Sequence, residues 1–161
     1  MKQTELEINY KIKDTDGLLA DLRKCADGQE LVQKITMTYF ESPTDKSFYV
    51  RIEEIEVGGN QEKRLTYKHN FMHKDGLKKC DEHSVSIDNK EFYTNFLQIV
   101  GLELINEKSK IRHMFDIDGL TVTVDRWDRE DMGDHLEIEG SDEKAIKKLA
   151  KGLARFLGEI D

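Results

Sequence analysis

Glu5 and Glu7 lie near one end of the 161-residue chain, and Asp125, Glu137 and Glu139 lie near the other. Arg51, Arg64, Lys68, Lys78, Lys110 and Arg112 lie between them. Hard divalent cations such as Mg2+ or Mn2+ take oxygen ligands, commonly one or two carboxylates completed by phosphate oxygens and water. Arginine grips phosphate as a fork and lysine as a point charge. Carboxylates, cations and a bound metal in one place would polarise a phosphoryl group and orient an attacking water or hydroxyl.

That chemistry requires elements that bring the two sets together, and the sequence alternates as strands do. Successive strand side chains point to opposite faces. Glu5, Glu7, Asn9, Lys11 and Lys13 therefore share one face, and Leu6, Ile8, Tyr10 and Ile12 the other. The same reading puts Tyr49, Arg51 and Glu53 opposite Val50 and Ile52, and Arg64, Thr66 and Lys68 opposite Leu65 and Tyr67. Lys78, Cys80, Glu82, Ser84 and Ser86 oppose Leu77, Val85 and Ile87. Lys108, Lys110, Arg112 and Met114 oppose Ile111, Phe115 and Ile117. Thr121, Thr123, Asp125 and Trp127 oppose Val122 and Val124, and Glu137 and Glu139 oppose Leu136 and Ile138. If the apolar faces meet helices, the charged faces meet one another inside a barrel. Isolated buried charges are costly, so such an interior must be wet and internally paired or filled by ions.

The predicted strands cover about 4–13, 31–41, 47–57, 61–70, 77–87, 104–117, 119–127 and 134–139, with 69–76 a loop. Gly58-Gly59-Asn60 and Asp118-Gly119 read as tight hairpin turns. Asp14-Thr15-Asp16 offers caps for a helix over 18–25. Asp88 with Glu91 resembles a capping box before a helix with Phe92, Phe96, Leu97 and Val100 on one stripe. Ser141 is the expected cap of a last helix carrying Ile146, Leu149, Leu153, Phe156 and Leu157. The prediction is an α+β fold: a closed or nearly closed eight-stranded antiparallel β-barrel with about three helices packed outside, one domain over 1–161.

Composition narrows the partners. A formal net charge of -8 argues against a nucleic-acid surface built on phosphate contacts, while leaving room for a local basic pocket. No apolar run approaches the ~20 residues of a bilayer span, and no signal peptide is visible, so a cytoplasmic protein without membrane contacts is expected. Cys25 and Cys80 make neither a disulfide framework nor a zinc site by spacing. The five histidines show no ligand spacing. Trp127, on the Asp125 face, could stack on a base or ring, though packing is the ordinary role for it. Lys144–Lys151 reads as the wet face of the last helix.

Taken in order, the motifs resemble those of the CYTH family, the triphosphate tunnel metalloenzymes, which include class IV adenylyl cyclases, thiamine triphosphatases and inorganic triphosphatases. Glu5-Leu6-Glu7-Ile8-Asn9 resembles the family's opening Glu-x-Glu-x-Lys strand. Thr38-Tyr39-Phe40-Glu41-Ser42-Pro43 resembles its Tyr-Phe-acid-x-Pro strand, Val50-Arg51-Ile52 its Leu-Arg-Ile-Arg strand and Leu65-Thr66-Tyr67-Lys68 its Thr-x-Lys strand. Glu82-His83-Ser84-Val85, Lys110-Ile111-Arg112, Val124-Asp125, Gly133 and Leu136-Glu137-Ile138-Glu139 resemble the remaining ones. The resemblance implies an eight-stranded tunnel with Mg2+ or Mn2+ on Glu5, Glu7, Asp125, Glu137 and Glu139. It implies a small-molecule triphosphate on the cations, with Lys11, Arg51, Lys68 and Arg112 as catalytic candidates, in a monomer or homodimer. Three activities follow as expectations: hydrolysis of inorganic or organic triphosphate, cyclisation of ATP, or polyphosphate binding without turnover. Asn9 replaces the signature lysine, Met37 a common aspartate, Glu53 a second arginine and Cys80 a frequent basic residue. These four departures make the cavity, which Glu82 also lines, less basic than the family pattern; Lys11, two positions along on the same face as Asn9, could substitute in part for the missing lysine, though a rim lysine is the ordinary reading.

Overall fold

The computed structural model describes residues 2–129 and 131–160, with side chains from residue 6 onward. Nine antiparallel strands form one sheet, in the order β5-β4-β3-β2-β6-β7-β8-β1-β9, and β5 pairs back onto β1 to close an eight-stranded barrel. The strands are β1 (Lys2–Ile12), β2 (Leu31–Glu41), β3 (Phe48–Val57), β4 (Asn60–Lys74), β5 (Leu77–Ser86), β6 (Glu103–Ile117), β7 (Leu120–Trp127), β8 (His135–Glu139) and β9 (Leu157–Ile160). Helices α1 (Thr15–Cys25), α2 (Lys90–Ile99) and α3 (Glu143–Leu153) pack outside.

Three hairpins turn through two-residue loops with both residues at positive φ: Gly58-Gly59, Asp75-Gly76 and Asp118-Gly119. That geometry matches the right-handed twist of the flanking strands, which is why glycine and aspartate occupy it. Most of the predicted loop over 69–76 is strand instead, and only Asp75-Gly76 turns. Asn70 sits at φ 57 and the β4–β5 register shifts between His69 and Met72, so a bulge absorbs the break and β4 runs on to Lys74. Two caps also move by one residue. Asn89, not Asp88, accepts from the Phe92 amide, and Asp142, not Ser141, accepts from the Lys144 amide. Asp14 caps α1 as expected.

The larger core lies outside the barrel, where Ile8, Val122, Val124, Leu136 and Ile138 meet Leu18, Leu19 and Leu22 of α1 and Ile146, Ala150 and Leu153 of α3. The apolar parity of β1, β7 and β8 thus faces helices, as the alternation requires. β9 was absent from the eight predicted strands. After α3 a 3-10 turn, Ala154–Phe156, leads into it, and it pairs with Tyr10 and Ile12 of β1 beyond the reach of β5. Gly76, at φ 79 in the β4–β5 turn, lies against Ile160 of this strand. A second outer core joins Phe40, Val50 and Ile52 to Leu97 of α2. The predicted stripe of α2 is not the face that packs: Leu97 is buried, but Phe92, Phe96 and Val100 are exposed. No helix among the described residues is long and apolar enough to cross a membrane.

Candidate functional site

All eight barrel strands contribute to one interior cavity of about 750 Å3. β1 lines it with Glu7, Asn9 and Lys11, β3 with Tyr49, Arg51, Glu53 and Ile55, β4 with Arg64 and Lys68, and β5 with Glu82. β6 adds Lys110, Arg112 and Met114, β7 adds Thr121, Asp125 and Trp127, and β8 adds His135, Glu137 and Glu139. Gln33, Ile35 and Tyr39 come from β2, and Asp131 and Met132 from the β7–β8 connection.

The predicted candidates fall into three groups. Arg51, Lys68, Lys110 and Arg112 line the interior in contact with its acids. Lys11 lines the rim and is exposed, opposite His135 in the β1–β8 ladder. Arg64 also lines the cavity but turns to Glu62 at 3.1 Å. Lys78 does not line it; it stands opposite Glu7 across β1–β5, next to Cys80, which is buried. Glu5 pairs with Cys80 through its backbone, and its side chain lies outside the described ones.

The cations are internally engaged. Arg112 clamps Asp125 with Nε to Oδ1 and Nη2 to Oδ2, each at 2.7 Å, and Lys110 Nζ donates to Oδ2 at 2.6 Å. Burial opposes the Asp125 charge, but Arg112 and Lys110 outweigh it and hold that carboxyl below its usual range. Burial, and then Arg112, push the Lys110 ammonium down to about 8, despite the pull of Asp125. Arg112 itself is held firmly charged: burial opposes, but Glu137 and Asp125 prevail. Across the barrel Arg51 Nη2 lies 3.2 Å from Glu53 and 3.7 Å from Glu82, and Lys68 Nζ lies 3.0 Å from Glu82. Glu53 also accepts from the Thr66 hydroxyl at 2.9 Å, and Glu82 from that of Ser84 at 2.9 Å. Arg51 Nε is buried without a hydrogen-bond partner among the described residues, an uncompensated donor on a cavity-lining guanidinium.

The carboxylates of β1 and β8 form a distinct patch. Glu7 lies directly opposite Glu139, and Asn9 opposite Glu137. Side chains so paired have Cβ atoms only about 4.5–5.5 Å apart, and like charges there repel. Asn9 donates to Glu7 at 2.9 Å, and Arg112 reaches Glu137 at 3.7 Å. Among the described residues no group of three acidic, histidine or cysteine side chains converges on a metal position. The opposed pair Glu7 and Glu139, with Glu137 adjacent, fits a hard cation that keeps one or two carboxylates and takes its other ligands from phosphate and water. Asp125 already accepts from Arg112 and Lys110, so a metal ion there would share its oxygens with those two cations.

One wall is apolar. Ile35, Met37 and Ile55 are buried on the inward side with Tyr39, Val57 and Trp127. Met37, in place of a common acidic residue, is part of this wall and 1% exposed. Lys110 Nζ sits 4.8 Å from the Trp127 ring centroid, so Trp127 packs on a site cation. Burial raises the Tyr39 and Tyr49 phenols, which keeps them neutral beside Arg51, and Tyr39 donates to the Met37 sulfur at 3.4 Å. Gln33 and Ile35, absent from the expected cavity face, line it with Tyr39; their shared odd numbering in β2 is the sequence signal for that placement.

No family model matches the sequence, and no curated protein matches it. Solved structures do. PH1819 from Pyrococcus horikoshii superposes with a TM-score of 0.80 at 22% identity, over 98% of this chain and 93% of that one. A conserved hypothetical protein from Pyrococcus furiosus gives 0.76 at 25% identity, over 98% and 94%. HpAC1 from Hippeastrum, an adenylyl cyclase candidate with a dominant triphosphatase activity, gives 0.67 at 14% identity, over 94% and 86%. The chain has a CYTH-like tunnel fold. Its tunnel departs from a plainly basic one: Glu53 and Glu82 sit within salt-bridge reach of Arg51, and Asp125 within reach of Arg112.

Proposed function

We propose that the tunnel is the active site of a divalent-metal-dependent enzyme that hydrolyses inorganic triphosphate or an organic triphosphate such as thiamine triphosphate. One observation carries this reading. A single cavity joins Arg51, Lys68, Lys110 and Arg112 to an opposed carboxylate patch of Glu7, Glu137 and Glu139. Cations alone suit any polyanion, and carboxylates alone suit any hard cation. The two in one enclosed space suit a metal-complexed polyphosphate. Mg2+ or Mn2+ held there would supply charge neutralisation at the phosphoryl oxygens and a positioned water.

The chain's own residues do the rest. Arg51 and Lys68 hold one end of the phosphate chain, and Arg112 and Lys110 the other. Arg51 turns its Nη2 from Glu53 and Glu82 to a phosphate oxygen when the ligand arrives. Fixing the phosphates against these cations aligns the bridging bond that breaks. Water adds to the terminal phosphorus, the bridging P–O bond breaks, and diphosphate, or the organic diphosphate, departs with the bridging oxygen and takes up the proton the water loses.

The internal pairing of every central cation favours a second reading, a binding module with weak turnover. An ATP cyclase is the third. Phosphate release from inorganic triphosphate, thiamine triphosphate and ATP, with Mg2+, with Mn2+ and with chelator, separates them when cyclic AMP is measured in parallel. Metal-dependent phosphate release is expected. Cyclic AMP as the main product, or tight binding without release, contradicts the hydrolase.

A further inference from the structure

We propose that the outward face of α2 docks a second copy of this chain, making a two-fold dimer with both tunnels outside the interface. Phe92, Phe96, Ile99 and Val100 recur at helical spacing and form one stripe. That stripe does not face the barrel, where Leu97 and Tyr93 make the contact. Phe92 is 61% exposed, Phe96 50%, Ile99 84% and Val100 56%. Leu104 and Ile105, at the start of the neighbouring β6, are 47% and 44% exposed.

Single exposed apolar residues are ordinary, but six within fourteen positions, two of them phenylalanines, are not. At roughly 150–250 Å2 for a large side chain, the exposed fractions amount to on the order of 600 Å2. A symmetric pair would then bury on the order of 1,200 Å2, the lower bound of stable specific interfaces. Aromatic enrichment and loss of charge mark interface cores.

Charge selects the occupant. The chain carries a net charge of -8, so two copies repel over most of their surfaces. The α2 stripe contains no charged residue, and a two-fold interface sets a patch against itself, so the stripe itself adds no like charges to that repulsion. A partner recognised by charge would need complementary charges within the patch.

Sedimentation equilibrium over a dilution series from about 100 μM to about 0.1 μM tests this. The wild-type protein is expected to dimerise within that range. Phe96→Asp and Ile99→Lys each place a charge on the stripe and are expected to weaken association by about 30-fold or more. Thermal unfolding midpoints close to the wild type's show that the variants remain folded. Met72→Asp alters an apolar side chain that is 62% exposed on β4 and should leave the dimer intact. A wild-type monomer at the highest concentration overturns the proposal. So does a dimer that survives both stripe variants, or one that Met72→Asp dissolves.

Discussion

Glu53 is the residue that most separates this tunnel from a plainly cationic one. It is 6% exposed, 3.2 Å from Arg51, and hydrogen-bonded to Thr66. Any phosphate that reaches Arg51 must compete with a carboxylate already there. Glu53→Gln keeps the volume and the acceptor for Thr66 but removes that competing charge. It should tighten triphosphate binding about tenfold, as one charge-assisted contact is worth roughly 1.5–3 kcal/mol. Titration calorimetry of the variant checks this; unchanged or weaker affinity would show that Glu53 orders Arg51 rather than opposing the ligand. Lys110 sets the pH response. Its ammonium loses its proton near 8 in the free protein, so above that pH the cavity has one cation fewer. Bound phosphate favours the charged form and so draws a proton in. Affinity should therefore fall by up to about tenfold per pH unit above 8, with proton uptake visible as a buffer-dependent binding heat. Lys110→Met should flatten that profile. The sign for stability is opposite: between 8 and the ordinary lysine range the folded state holds fewer protons than the unfolded one, so stability rises with pH there.

At the scale of elements, β1 is the closing stave, paired with β5, β8 and β9. Its inward residues Glu7 and Asn9 flank Ile8, which is 2% exposed in the outer core. Ile8→Ala should cost about 2–5 kcal/mol of stability and blunt the response to metal, because the same strand aims Glu7 at Glu139. Chemical denaturation with and without Mg2+ measures both; a destabilised variant with full metal response would uncouple strand closure from the site. The charged parity of β1, β3, β4 and β6 was legible because a strand permits only two directions. The cavity face of Glu7, Arg51, Lys68, Arg112 and Glu137 followed from it. Pattern alone could not reveal where that parity turns apolar. Ile35, Met37 and Ile55 cluster on the inward side with Trp127, where they pack on one another. β9 was hidden because four residues after a helical stripe carry too little periodicity to register. The bulge at Asn70 and the caps at Asn89 and Asp142 depend on which of two adjacent polar residues takes the required backbone angles. Lys78 shares its parity with Glu82 but misses the cavity, since parity fixes the face of a strand and not the height along the tunnel.

The whole molecule is a negatively charged shell around a cavity whose cations are already matched by acids. A free polyanion gains little by entering such a site, while a metal-complexed one brings the missing positive charge to Glu7, Glu137 and Glu139. Metal and triphosphate are therefore expected to bind in mutual dependence. The decisive measurement is calorimetric titration of inorganic triphosphate into the protein, with Mg2+ and then with chelator. Binding is expected in the micromolar range with Mg2+, weakened by at least about tenfold in chelator and by one to two orders of magnitude in Arg51→Ala. Equal affinity with and without the metal, or no loss in Arg51→Ala, would contradict it.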